Sequence, residues 1–315
     1  MPELIDFLKL FGGFVYLLMG GELLVRGALG LSKESNIPPV VVGMTVVAMG
    51  TSAPELMVST FSALSGYPGI AIGNVVGSNI ANVLLVIGIP VMIYPISCAQ
   101  EGLSRQASLM IGVSLLFIVM CAFEPIEFWE GALLVTILVG FLIAATRGAA
   151  VIPLDDPEEE MERGLGLPTV PGTITLFIVL GVVSLPLGAD LVVEGGVGLA
   201  STWGVSEAVI GLSLIALGTS LPELSTTVIA ALHKSSDVAI GNVVGSNLFN
   251  ILAILGITAL LTDIPVDPSF LRFDLWVMFG SSIVLWLFVL MKGTINRFAG
   301  GFFLAGYFGY LALIY

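Results

Sequence analysis

The sequence predicts an all-α membrane protein whose ten transmembrane helices form two inverted five-helix repeats. Three observations lead there. The 315 residues are 57% hydrophobic with a mean hydropathy of +1.08, and only 10% are Asp, Glu, Lys or Arg, against roughly 25% in soluble domains. A soluble fold of this size could not cover its surface with so few charges. Apolar runs of about 20 residues, the length that crosses a bilayer, recur along the chain. Two segments are also near copies of each other at a constant offset of 168 residues.

The apolar runs fall at roughly 5–30, 38–64, 69–94, 104–123, 126–146, 171–200, 205–231, 237–262, 273–291 and 296–315. The first has Asp6, Lys9 and Glu22 around it and lacks a basic n-region and cleavage site, so it reads as a retained helix. The long polar break is 147–170, with six acids between Asp155 and Glu162. It reads as a solvated linker, and it accounts for much of the net charge of −13. It divides the chain into a first block, 1–146, and a second, 171–315.

Five helices per block is an odd number, so the second block enters the membrane from the opposite side and the repeats are inverted. Loops after helices 1, 3, 5, 7 and 9 and their flanks hold Arg26, Lys33, Arg105, Arg147, Arg163, Lys234, Lys292 and Arg297. The other side holds Lys9 and Arg272. The positive-inside rule then places both termini outside the cell membrane and the acidic linker in the cytoplasm.

The repeat is strongest at two short elements, within segments at about 40–91 and 208–259. Eight of 14 residues from Gly43 to Leu56 match their partners at +168, and ten of 12 match from Ala71 to Asn82. Any apolar side chain serves against lipid, so lipid contact does not require such identity. The first element reads Gly50-Thr-Ser-Ala-Pro-Glu55 and Gly218-Thr-Ser-Leu-Pro-Glu223. Each copy puts one carboxylate inside an apolar run, where an ionisable residue signals function. Proline within a helix removes a donor and clashes with the carbonyl four residues back. Pro54 and Pro222 are therefore expected to free the carbonyls of Gly50 and Gly218. Irregular backbone survives at membrane depth only where protein or a water-filled cavity satisfies it. Thr51 and Glu55, four apart, share a face. The product is a cluster of oxygens, the ligand set of hard cations such as calcium and sodium.

The second element, Gly73-Asn-Val-Val-Gly-Ser-Asn at 73–79, recurs at 241–247. Asn74, Ser78 and Asn82 recur every four residues and line one helix face, as do Asn242, Ser246 and Asn250. Gly73, Gly77, Gly241 and Gly245 make a small-xxx-small pattern that lets helices approach. These side chains can bond helix to helix and also wall a cavity.

Glu55 and Glu223 are the acids in the middle of predicted spans. Two carboxylates balance one Ca²⁺, or approach balance with two or three Na⁺. Both sets together would carry too much charge for a low-dielectric interior. Such mutual exclusion is the physical basis of ion exchange.

Other features read more plainly. Cys98 and Cys121 form neither a disulfide framework nor a metal cluster. Glu22 and Arg26, and Asp190 and Glu194 at the +168 positions, read as charges near helix ends that snorkel, with a gate or access path as the alternative. His233 reads as a solvated loop residue. Enzyme chemistry is not expected, because Thr51 and Ser52 have no histidine or lysine base in their spans to activate them. A channel usually repeats about an axis normal to the membrane, unlike an inverted repeat.

The paired Gly-Thr-Ser-x-Pro-Glu and Gly-Asn-x-x-Gly-Ser-Asn elements resemble the two alpha-repeats of the calcium/cation antiporter superfamily, prokaryotic sodium/calcium exchangers in particular. That resemblance implies clustered ion positions and alternating access, with helices 1 and 6 sliding across a fixed core. By position it implies a central calcium site of Thr51, Glu55, Thr219 and Glu223. Flanking sodium sites would use the backbone oxygens of Ala48 and Ala216, the hydroxyls of Ser52, Ser78, Ser220 and Ser246, and the glutamates. A middle position would fall near Asn82 and Asn250. Potassium-dependent relatives carry an aspartate where this chain has Asn250. Proton-coupled relatives place Glu-His where it has Gly77-Ser78 and Gly245-Ser246, which favours sodium. The expected function is sodium/calcium antiport, with a calcium/proton or broader divalent-cation antiporter as the alternative. The expected partners are calcium, sodium and the lipid bilayer, with no organic cofactor and no nucleic acid.

Overall fold

The structure is a computed structural model, and it describes residues 2–123, 125–147, 166–203 and 218–314. The described chain is helical apart from short connections. Helix α1 is Pro2–Ser35. Helices α2 (Pro39–Thr51) and α3 (Ala53–Leu64) meet at a 45° bend. Then follow α4 (Pro68–Ile93), α5 (Leu103–Ala122) and α6 (Phe128–Arg147). In the second half α7 is Pro171–Thr202, α8 Leu221–Leu232 and α9 Ser236–Leu261. A short α10 (Pro268–Arg272) precedes α11 (Asp274–Leu290) and α12 (Arg297–Ile314). Asp267 caps α10 by accepting the Ser269 backbone N–H at 2.8 Å, which holds its carboxyl below the usual carboxylate range.

Among the described residues, seven helices are long and apolar enough to cross a membrane, or eight if α2 and α3 count as one span. Helices α8 and α11 are shorter apolar helices. The expected span 205–231 is described only from Gly218 onward, and the acidic stretch from Asp155 to Glu162 lies outside the described residues. Burial orders the helices. Helices α4 and α9 are mostly enclosed, whereas α1, α6, α7 and α12 turn most of their surface outward. Phe11, Leu18 and Trp129 are among the large apolar side chains on that outer surface, as a lipid solvent permits.

Helices α1 and α7 pack antiparallel along nearly their full lengths. Gly13 faces Gly188 and Val192, Gly20 faces Ser184 and Leu185, and Gly27 faces Phe177 and Ile178. A Cβ on Gly13 would lie 2.7 Å from the Gly188 carbonyl oxygen, so only glycine permits this backbone contact. Gly181, Gly188 and Gly195 face back onto α1, each 168 residues after Gly13, Gly20 and Gly27.

The connections cross between the halves. Ile96 and Ser97 (β1) pair antiparallel with Thr294 and Ile295 (β2), and Ile126 bridges Ile264. Ile264 is the +168 counterpart of Ile96. Each half thus lends one extended residue pair to the other.

Candidate cation site

The broken turn carries the first carboxylate. Helix α2 ends at Thr51, Ser52 leaves helical geometry (φ −84°, ψ 4°), and α3 begins at Ala53. Pro54 therefore stands in the first turn of a new helix, where its missing N–H costs nothing, rather than inside a continuous one. Glu55 follows in that first turn, at the positive end of the helix dipole. Ser220, with φ −87° and ψ 0°, repeats the conformation of Ser52 directly before α8, which carries Glu223 in its first turn. Burial is nearly complete: Glu55 is 1% exposed and Glu223 0%.

Upstream, α2 widens into a π turn at Gly43–Val47. On the inner helices, widening occurs at the asparagines. Asn250 opens the π turn Asn250–Leu255 of α9. On α4 the Val86 N–H reaches the Ala81 carbonyl, five residues back, just past Asn82. Such turns shift the register of a helix and concentrate at functional sites. Neither π turn has a sequence signature as plain as proline's.

A hydrogen-bonded network joins the two halves, and adding 168 to a residue of the first half largely reproduces it. Asn74 donates to the Ser59 hydroxyl (2.9 Å) and the Glu55 carbonyl oxygen (3.4 Å). Asn242 donates to the hydroxyls of Thr227 and Thr226 (3.1 Å each) and to the Glu223 carbonyl oxygen (3.4 Å). The Thr51 hydroxyl donates to Asn242 Oδ1 (3.3 Å), and the Thr219 hydroxyl to Asn74 Oδ1 (3.4 Å). Asn82 donates to Asn247, and Asn250 to Asn79. Two bonds among these have no counterpart: Asn242 reaches Thr226, where the first half has Val58, and Ser52 donates to Glu223 Oε1 at 3.0 Å.

The sequence-derived set is thus largely brought together. Thr51, Ser52 and Glu55 sit at the first break, and Thr219, Ser220 and Glu223 at the second. Ser246 Oγ lies 3.5 Å from Thr51 Oγ1, and Ser78 is buried at the matching place on α4. Asn82 and Asn250 reach across to the opposite half. The Ala48 carbonyl oxygen already accepts the Ser52 N–H at 2.9 Å and the Thr51 hydroxyl at 3.3 Å. Ala216 lies outside the described residues. Asn79 and Asn247 were absent from that set; their exact repetition at +168 was the available signal.

Among the described residues, no donor reaches Glu55 Oε1 or Oε2, Glu223 Oε2, Asn82 Oδ1 or Asn250 Oδ1, all of them buried. These five atoms are acceptors. A buried oxygen without a donor carries a desolvation penalty that a cation relieves. No group of three or more His, Cys, Asp or Glu occurs among the described residues, so the charge comes from a carboxylate pair surrounded by neutral oxygens. That composition suits hard cations.

The single histidine is not a solvated loop residue. His233 ends α8, and its Nε2 lies 2.7 Å from Glu22 Oε2 on α1. Glu22 also faces Arg26 at 3.8 Å, and the Arg26 guanidinium bonds the Gly166 carbonyl and lies 5.4 Å from the centre of the Phe177 ring. Glu194 pairs with Lys9 at 2.9 Å, while Asp190 is exposed. Packing of the part-buried His233 against α1 brings the histidine beside Glu22 and Arg26, a contact that linear sequence could not disclose.

Comparison with known proteins gives a consistent result. A family described as "Sodium/calcium exchanger protein" matches residues 6–147 and 173–315. The chain is 39% identical over 307 residues to the putative antiporter CaxA of Alkalimonas amylolytica, covering 96% of each chain. It is 31% identical to the sodium/calcium exchanger MaX1 of Methanosarcina acetivorans, covering 99% of each. Its fold is similar to that of the sodium-calcium exchanger NCX_Mj, with a TM-score of 0.84 at 27% identity, covering 98% of this chain and 99% of that one.

Proposed function

The chain belongs to the sodium/calcium exchanger family, and from that premise we propose that it exchanges sodium for calcium across the membrane by alternating access. Sodium entering down its gradient drives calcium out through one shared site. The observation that carries this reading is the set of five buried oxygens on Glu55, Glu223, Asn82 and Asn250 that no donor reaches among the described residues. Two carboxylates balance one calcium ion or accept sodium ions, but not both sets at once. Thr51, Thr219, Ser52, Ser220, Ser78, Ser246 and the Ala48 and Ala216 carbonyls complete the proposed coordination.

Two further features support the architecture this function needs. Ten spans are read by adding the shorter apolar helices α8 and α11 to the seven spanning helices and the bent α2–α3 pair. The bonds exchanged at +168 are those expected of halves related by a two-fold axis; with five spans per half, that axis lies in the membrane plane and the repeats are inverted. Both termini then lie outside and the 147–170 linker inside. Helices α1 and α7 slide together against the core that holds the site.

The test is radiolabelled calcium uptake in proteoliposomes under separately imposed sodium, potassium and proton gradients. An outward sodium gradient is expected to drive uptake, and Glu55→Gln or Glu223→Gln to abolish it. Uptake driven by a pH jump without sodium would reassign the coupling to protons. Wild-type rates in either glutamine variant would refute the site.

A further inference from the structure

Resting on the reading of this site as a cation site, we infer that Asn79 and Asn247 are positioning residues that fix which end of the Asn250 and Asn82 amides faces the cargo. A carboxamide has an accepting end and a donating end. Flipped by half a turn, it presents N–H groups to a cation instead of oxygen. Asn82 and Asn250 are 1% and 0% exposed, so water does not decide between the two orientations. Something in the protein must.

The bond directions identify it. The Met110 and Met278 thioethers accept and never donate. Asn247 turns its Nδ2 toward Met110 Sδ and Asn79 its Nδ2 toward Met278 Sδ, each at 3.7 Å. With the amino end committed to sulfur, the Oδ1 of Asn247 faces Asn82 and the Oδ1 of Asn79 faces Asn250. Those oxygens take the Nδ2 of Asn82 at 3.1 Å and of Asn250 at 3.2 Å. The remaining ends, Asn82 Oδ1 and Asn250 Oδ1, are two of the buried oxygens that have no donor among the described residues. An acceptor-only sulfur on α5 or α11 thus sets the direction of a chain that ends in an oxygen at the cargo position. Each chain crosses between the halves, so each half orients the other half's amide.

Removing an outer partner of a metal ligand typically lowers affinity by about 10- to 100-fold. Asn247→Ala is therefore expected to raise the half-saturating calcium concentration by roughly tenfold or more, with maximal rate within about twofold. In an Asn82→Ala background the same change is expected to add less than about twofold, because the amide through which it acts is gone. Equal losses in both backgrounds would overturn the inference. Should Asn247→Ala fail to insert, Met110→Leu removes the acceptor at nearly constant volume; unchanged affinity there would overturn it equally. Glu223→Gln serves as the separate arm. If it leaves sodium-driven calcium uptake intact, the cation-site reading fails; if it abolishes uptake while Asn247 and Asn82 act additively, only the positioning role fails.

Discussion

Ser52 on one half donates its hydroxyl to Glu223 Oε1 on the other, 3.0 Å away, and occupies one of the four carboxylate oxygens of the site. The bond ties the residue at the first helix break to the carboxylate of the second. Both groups are buried, and hydrogen bonds to charged groups contribute about 1.5–3 kcal/mol. Ser52→Ala is expected to weaken calcium binding by roughly tenfold, about 1.4 kcal/mol, measured by titration calorimetry in detergent. Unchanged affinity would mean that Ser52 does not help hold Glu223.

Gly245 permits the tightest approach of α9 to α2. A Cβ there would lie 2.6 Å from the Met44 Cα and 2.7 Å from the Ala48 Cβ. Gly245→Val should therefore cost on the order of 1–3 kcal/mol of stability through overpacking. Thermal unfolding in detergent measures it, and Gly301→Val, at an outer position of α12 with open space, is the control expected to stay near wild type.

Cys98 follows β1, outside the spanning helices, and burial pushes its thiol up to about 12. The thiolate is the reactive form, so native protein at pH 8 should resist alkylation until it unfolds. A thiol harder to ionise when folded leaves stability intact below the unfolded value of 9.0 and erodes it as pH rises through about 12. Mass spectrometry of iodoacetamide-treated native and denatured samples checks the first point. Rapid native labelling would contradict it.

The Glu22–His233 contact joins α1 to the end of α8. Both side chains are partly exposed, so the coupling should be modest, up to about 1 kcal/mol. A double-mutant cycle with Glu22→Gln and His233→Gln, read by thermal unfolding, is expected to fall in that range. A coupling of several kcal/mol would show the pair to be far better shielded from water.

Much of the site was legible because its chemistry is local. Gly-Thr-Ser-x-Pro-Glu announces a helix boundary and a carboxylate within six residues, and a helix begins beside each proline, at Ala53 and at Leu221. The orientation of the break was less legible: Pro54 begins a helix instead of interrupting one, because Ser52 had already left helical geometry. The π turns were hidden, since they follow from packing rather than from any residue type. So were the Asn82–Asn247 and Glu22–His233 contacts, whose partners are 165 and 211 residues apart. Periodicity assigns a residue to a face but does not say which distant face it meets.

The interleaved asparagines also bear on how the chain is made. Residues 1–146 leave the ribosome first, yet Asn82 finds its partner on Asn247 and Asn79 receives Asn250. Until α9 has been synthesised and inserted, the first block waits in the bilayer with those amides unmatched. Completion therefore comes late in biogenesis, since Asn79 also needs Met278 on α11, and a chain truncated before α9 is an expected client of membrane quality control rather than a stable half-protein.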